Sequence, residues 1–380
     1  MALKTEKPMS EPLQSRIETL EGLRGLAAIF VLFWHCMIGF TPQASGIFEG
    51  FSGNQTISGK PWAFFINGSG SVVFFFVLSG FVLSRSAFQS GSPKAIRNGA
   101  LKRWPRLFLP TVMATTISWL LFYFGLYHYK EAANITHSPW LEQFAYASVQ
   151  PIGYPIWKAL GQGLFFTFFR GDQYYDSSIW TMHFEFVASF VVFGLTLLVL
   201  TYKKNGYWKA AFPIVITIIL ANFVSKWYPP FLLGLALALV LPKTLKLSKY
   251  VRLIAFIFGL YLLGCWQTIG SYSWLSWAPF QYVDTIGAVI IIAVCYDVKL
   301  NPLFSKIACF LGDLSFPFYL LHLLVLCSFG SALFVWLKTT NINHPIFITT
   351  ASTLVVSIII SLPLVFINKK WVLLLNRLVK

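Results

Sequence analysis

Ten apolar runs, divided by basic or polar connections, leave this chain few ways to fold. They lie at about 22–40, 70–88, 107–126, 179–202, 210–225, 228–241, 251–266, 282–298, 308–335 and 346–368. Roughly 20 apolar residues cross the hydrocarbon of a bilayer as a helix, so the pattern predicts an all-α, polytopic transmembrane helix bundle of about ten spans. Composition closes the alternative: 57% of the 380 residues are hydrophobic and 11% charged, whereas a soluble domain needs about 25% charged residues to cover its surface. The run at 228–241 is short and opens on Pro229-Pro230. The ninth is longer than one crossing needs, which predicts tilt or a break near Gly312 or Pro317.

Basic residues set the orientation. With both termini in the cytoplasm, all of the 29 Lys and Arg fall on the inner side except Lys60, Lys130, Lys158, Arg170, Lys226 and Lys338, as the positive-inside rule requires. The net charge of +16 therefore reads as attraction to anionic lipid headgroups, and no nucleic-acid motif accompanies it. Cys36, Cys265, Cys295, Cys309 and Cys327 are placed within spans as buried thiols and show no metal-ligand spacing. Residues 1–21 read as a cytoplasmic segment, 22–368 as the membrane domain, and 369–380 as a short amphipathic interfacial helix. The largest outer connection, about 127–178, includes an apolar part from Ile156 to Phe169 expected to lie in the interface or dip into the bundle. Three Asn-x-Ser/Thr sequons, at Asn54, Asn67 and Asn134, fall in predicted outer connections.

Ionisable residues at membrane depth are costly and mark function unless they merely pair helices. In the first run Arg24 and His35 are eleven positions apart, which places them on one helix face, ~16 Å apart along the axis at 1.5 Å per residue. The second run carries Ser79-Gly80 amid aromatics, small residues that let helices approach closely. Before the third run, Arg103-Trp104-Pro105-Arg106 reads as a helix start, with Pro105 in the first turn and two guanidinium groups at the inner surface. Snorkelling anchors are the competing account. Glu185 is expected about two turns into the fourth run, near the level of His35, with His183 facing elsewhere. In the ninth run Ser315, Tyr319 and His322 share a face and Asp313 lies opposite His322.

In order along the chain, these segments resemble the acyltransferase-3 family of membrane acyltransferases, which acylate sugars of surface glycans and related molecules. The resemblance rests on Leu-Arg-Gly-Leu-Ala with a His eleven residues after the Arg, Phe-Phe-x-x-Ser-Gly-Phe, Arg-x-x-Arg followed by Pro110, Trp-x-x-x-x-Glu, and Leu-Gly-x-x-Ser-x-x-x-Tyr-Leu-x-His. Pro317 inside the last motif is a departure that bears on where His322 points. The resemblance implies acyl-coenzyme A, chiefly acetyl-CoA, as cytoplasmic donor and a glycan or lipid-linked sugar hydroxyl as acceptor, with no metal. It implies His35 as the principal catalytic group, Glu185 and His322 as its assistants, Arg24, Arg103 and Arg106 as holders of the anionic coenzyme, and Ser79 as a channel-lining residue. An imidazole with an ordinary pKa near 6.5 suits removal of a hydroxyl proton near neutral pH. Direct attack by the sugar hydroxyl is preferred; a transient acyl-histidine is the alternative. The expected location is the inner cell membrane, as a multi-pass protein. A proton-coupled secondary transporter using His35 and Glu185 is the rival from another class, although no repeated halves are visible in the sequence.

Overall fold

The computed structural model describes residues 16–48, 56–144, 155–202 and 207–379. Among them every regular element is helical. Ten helices coincide with the ten apolar runs: α1 Glu18–Phe40, α2 Gly68–Ser90, α3 Pro93–Tyr123, α4 Trp180–Tyr202, α5 Tyr207–Val224, α6 Pro229–Val240, α7 Lys249–Leu263, α8 Phe280–Cys295, α9 Pro302–Val325 and α10 Pro345–Leu378. Six stretches have the length and apolarity to cross a membrane: those of α1, α2, α3 and α10, together with Ser177–Tyr202 and Pro302–Thr339. The α6 and α8 helices are apolar but shorter, with 12 and 16 residues, or ~18 and ~24 Å. The chain is a multi-pass, all-helical membrane protein.

Local chemistry explains where the helices begin. Pro93, Pro302 and Pro345 occupy first-turn positions, where a missing N–H costs nothing. Ser92, Ser248 and Asn301 accept backbone N–H groups of α3, α7 and α9. Gly91, at φ +65°, ends α2 in the left-handed conformation that favours glycine.

The seam between α1 and α9 organises the bundle. A Cβ on Gly22 would stand 3.0 Å from Ala308 Cβ, and one on Gly25 would stand 2.4 Å from Leu311 Cβ. Glycine at these points lets the backbones approach as small residues do in membrane helices. Contacts advance in the same direction on both helices, so α1 and α9 run parallel. A second tight pair joins α2 to α6, where Gly80 faces the Phe231 carbonyl and Gly234 the Val77 carbonyl. Around it Phe76, Trp180, Phe184, Trp227 and Phe231 form a connected aromatic core. The ends of the described chain meet: Arg16 and Lys369 each lie 2.6 Å from the carboxylate of Asp313. Apolar side chains at the edges, such as Phe223, Ile254 and Phe347, are exposed and face the bilayer.

Several expectations change. Helix α3 starts at Pro93, so Arg103 and Arg106 sit in its third and fourth turns instead of flanking its start. Pro105 and Pro110 lie inside it, and membrane helices tolerate internal prolines where neighbours hold them. The ninth run is continuous through Gly312 and Pro317. Its irregularity is a π-turn at Leu326–Gly330, followed by a further helix, Ser331–Thr339. Residues 369–378 continue α10. Cys265 lies just beyond the end of α7, although it is buried. Asn67 is wholly buried at the start of α2 and donates to the Leu263 carbonyl at 2.8 Å, so it is no glycan acceptor. Asn134 is exposed, and Asn54 lies outside the described residues. Residues 156–170 are helical and pack along α3. Thr115 Oγ1 donates to the Ala159 carbonyl at 2.9 Å and Trp104 Nε1 to the Leu164 carbonyl at 3.0 Å.

Candidate active site

The spacing of Arg24 and His35 does what the helical geometry requires: both reach α9. Arg24 Nε donates to Ser315 Oγ at 2.9 Å and an Arg24 terminal nitrogen to the Gly312 carbonyl at 2.6 Å, while Glu21 lies 2.8 Å away as counter-charge. Three turns further on, His35 Nδ1 meets His322 Nε2 at 3.1 Å. Pro317 does not displace His322 from α1. It lacks only the N–H that would bond the Asp313 carbonyl, and the helix stays regular around it.

Hydrogen-bond bookkeeping assigns the protons of this pair. His322 Nδ1 lies 2.7 Å from the Tyr319 carbonyl, and a carbonyl only accepts. His322 therefore carries its proton on Nδ1 and presents a lone pair at Nε2. His35 must then donate from Nδ1, which leaves His35 Nε2 as a free lone pair. His322 is completely buried, whereas His35 keeps partial exposure, so the accessible imidazole is the one with the free base nitrogen. Trp140, in a single helical turn at Pro139–Glu142, stacks on His35 with ring centroids 5.0 Å apart. Phe318 lies parallel to His322 at 6.0 Å. Behind the pair, Tyr319 Oη donates to the Ser178 carbonyl at 3.1 Å and accepts from Thr181 Oγ1 at 3.1 Å. Asp176 accepts from the Ser178 amide and hydroxyl, each at 2.9 Å, fixing the turn that receives Tyr319.

Glu185 belongs to a different cluster. Its carboxylate forms a short ion pair with Arg103, and Ser79 Oγ donates to it at 2.6 Å. Arg103 also reaches Ser79 Oγ and the Glu185 carbonyl at 3.4 and 3.3 Å. Among the described residues no hydrogen bond or ion pair connects Glu185 to either histidine. The reason lies in α3: because it starts ten residues before Arg103, the guanidinium is carried into the bundle, and a carboxylate pairs with that charge before a neutral ring. Arg103 Nε is buried with no partner among the described residues and remains a spare donor.

Arg106 completes the cationic end. It lies within electrostatic reach of Arg103, Arg24, Arg16 and Glu21, is exposed, and has no hydrogen-bond or ion-pair partner among the described residues. The structure thus brings Arg24 and Arg103 within electrostatic reach of Arg106, with Ser79 and Glu185 bonded to Arg103, and sets His35 and His322 together farther along the seam. His183 bonds the Phe168 carbonyl at 2.8 Å and faces away. Sequence reasoning missed Glu21 as partner of Arg24, although its i, i+3 spacing was a usable signal. It also missed Trp140 and Asp176, which reach the site from the connection between α3 and α4.

The fold and site define a membrane protein with a histidine pair at one end of the α1–α9 seam and a cluster of arginines at the other. A family model described as an acyltransferase domain, that of the acyltransferase-3 family, matches residues 17–366. The chain belongs to that family and is a membrane acyltransferase. No curated protein and no solved structure matches it.

Proposed function

We propose that this protein transfers an acyl group, chiefly acetyl, from cytoplasmic acyl-coenzyme A to a hydroxyl of a surface-glycan or lipid-linked sugar. The observation that carries this reading is the free Nε2 lone pair of His35, fixed by the His322–Tyr319 chain and lying along α1 from the arginine cluster. In the reaction, His35 Nε2 takes the proton of the acceptor hydroxyl as its oxygen bonds to the thioester carbonyl carbon. The carbon–sulfur bond breaks, and the coenzyme thiolate takes the proton from the imidazolium. His322 accepts the His35 Nδ1–H throughout and stabilises the imidazolium, a role that orients a general base much as a carboxylate does elsewhere. Arg24, Arg103 and Arg106 hold the donor's phosphates, for which planar guanidinium forks are suited. Glu185 and Ser79 position Arg103. The sugar hydroxyl attacks directly.

The proposed topology is ten crossings with both ends cytoplasmic, in the cell's inner membrane. Three features support it: Arg16 and Lys369 share Asp313, α1 and α9 run parallel, and the basic residues segregate to one side. The test is direct. The purified protein in lipid nanodiscs, given acetyl-labelled acetyl-CoA and a glycan extract from its host, should move label to carbohydrate and release free coenzyme A in equal amounts. Coenzyme A release without labelled carbohydrate, or uptake of a sugar without coenzyme, would overturn the assignment.

A further inference from the structure

Arg16 and Lys369 come from opposite ends of the described chain, yet both end on one carboxylate. Arg16 reaches Asp313 Oδ1 and Lys369 reaches Asp313 Oδ2, each at 2.6 Å. The side chain of Asp313 is 13% exposed, while those of Arg16 and Lys369 are 55% and 52% exposed. Two cations on one anion leave a positive charge uncompensated. Asp313 also adjoins Gly312, whose carbonyl binds Arg24. Arg16 is within electrostatic reach of Arg106. Lys369 stands two residues before Trp371, whose indole N–H donates to the Pro105 carbonyl at 2.7 Å. This pair is therefore the border of the arginine cluster. Among the described residues, Arg16, Arg24, Arg103, Arg106 and Lys369 have ion pairs with three carboxylates, Glu21, Glu185 and Asp313, which leaves two positive charges for a ligand. Neither Arg16 nor Lys369 falls in a motif that carries the family resemblance.

We propose that Arg16 and Lys369 form a second anion subsite, beside the first, which takes the phosphate monoester of the donor while Asp313 holds the same two cations between turnovers. The proposal rests on reading the donor as a coenzyme A thioester, a molecule with a pyrophosphate in mid-chain and a phosphate monoester at its adenosine end. The inner guanidinium groups take the pyrophosphate. The outer pair exchanges one carboxylate for a phosphate, whose higher charge and three acceptor oxygens make it the stronger partner. Because both cations are half exposed, the exchange needs only side-chain rotation, and no helix has to move.

The test compares coenzyme A with 3′-dephospho-coenzyme A, binding to the full chain in nanodiscs by titration calorimetry. The wild-type protein should bind coenzyme A about tenfold more tightly, the scale of a charge-assisted phosphate contact. The double variant Arg16→Ala/Lys369→Ala should bring the two affinities within about twofold by weakening coenzyme A alone. The charge-preserving pair Arg16→Lys/Lys369→Arg should keep the preference. Asp313→Asn, which frees both cations, should tighten coenzyme A and leave the dephospho form unchanged. Equal wild-type affinities would overturn the subsite, and so would a preference that survives in the double alanine variant. Should that variant fail to fold, Asp313→Asn decides: an affinity ratio unchanged from wild type overturns the subsite. Binding of neither molecule would instead remove the donor reading, and the subsite with it.

Discussion

At one end of the α1–α9 seam two imidazoles meet with no charged side chain bonded to either among the described residues. At the other, Arg24 joins Arg16, Arg103 and Arg106 among carboxylates that each hold at least one cation. Both ends draw on α1 and α9 and the same face of α1, to which the charged end adds α3 and α10, and they differ in chemistry. The neutral end fixes its protons by a chain of contacts from His35 through His322 to backbone carbonyls, which only accept. Among the described residues the charged end keeps surplus donors: Arg106 is unpaired, Arg103 Nε is unused, and two cations share Asp313. A base is useful when its proton position is settled, whereas a polyanion site is useful when its charges are not yet spent.

Removing the base should break this comparison most severely. His35→Ala should lower turnover about 10³-fold, within the usual range for general base loss, with little change in the apparent donor KM. His322→Ala should cost less, about 10²-fold, because the base remains but its tautomer is no longer held. Initial-rate kinetics on both variants, at matched expression and thermal stability, check the ordering. If His322→Ala costs more than His35→Ala, the assignment of roles is reversed.

The Glu185–Arg103 pair separates stability from binding. Their side chains are only 17% and 9% exposed, and removing one partner of a buried pair costs about 3–5 kcal/mol by leaving the other uncompensated. Glu185→Gln should therefore lower the melting temperature and activity together. The double variant Glu185→Gln/Arg103→Gln should recover much of the stability and little of the activity. Arg106→Gln is the counterpart: with no partner left behind, it should raise the donor KM about tenfold and leave thermal stability unchanged. Thermal unfolding in detergent beside donor titrations measures each part, and a stability loss in Arg106→Gln would show a partner that the structure does not.

Much of this was legible in the sequence because membrane folding leaves a simple record. Each of the ten apolar runs became a helix, and the eleven-residue spacing of Arg24 and His35 placed both on one face. The paired histidines were also within reach of the pattern, since Ser315 and His322 share the face that meets α1. What failed were inferences from proline. Pro105 was read as a helix start and Pro317 as a break, but packing holds both inside continuous helices. That error placed Arg103 at the surface and hid its pairing with Glu185. Trp140 and Asp176 carried no signal, since their positions depend on how the connection between α3 and α4 folds back over the bundle.

The smallest expected effect concerns the one carboxylate behind the neutral end. Asp176 is completely buried just before the start of α4. Burial pushes its carboxyl up to about 7, against the opposing pull of the Ser178 amide and hydroxyl. A folded-state value above the unfolded one, near 3.8, means that the folded protein binds the extra proton between those limits. The stability this supplies is complete below about pH 4 and declines as pH rises, until it is lost above about pH 7. The wild-type melting temperature should therefore fall by a few degrees between pH 5 and 8. In Asp176→Asn, which keeps the Oδ1 acceptor for the Ser178 amide and cannot ionise, that slope should be absent. Because Ser178 receives Tyr319 Oη, and Tyr319 holds the His322 proton, the same variant should retain most wild-type activity at pH 6. An unchanged slope in Asp176→Asn would show that the neutral end owes nothing to this carboxyl. Loss of activity at pH 6 would show instead that the ionised form is needed to hold the turn beneath Tyr319.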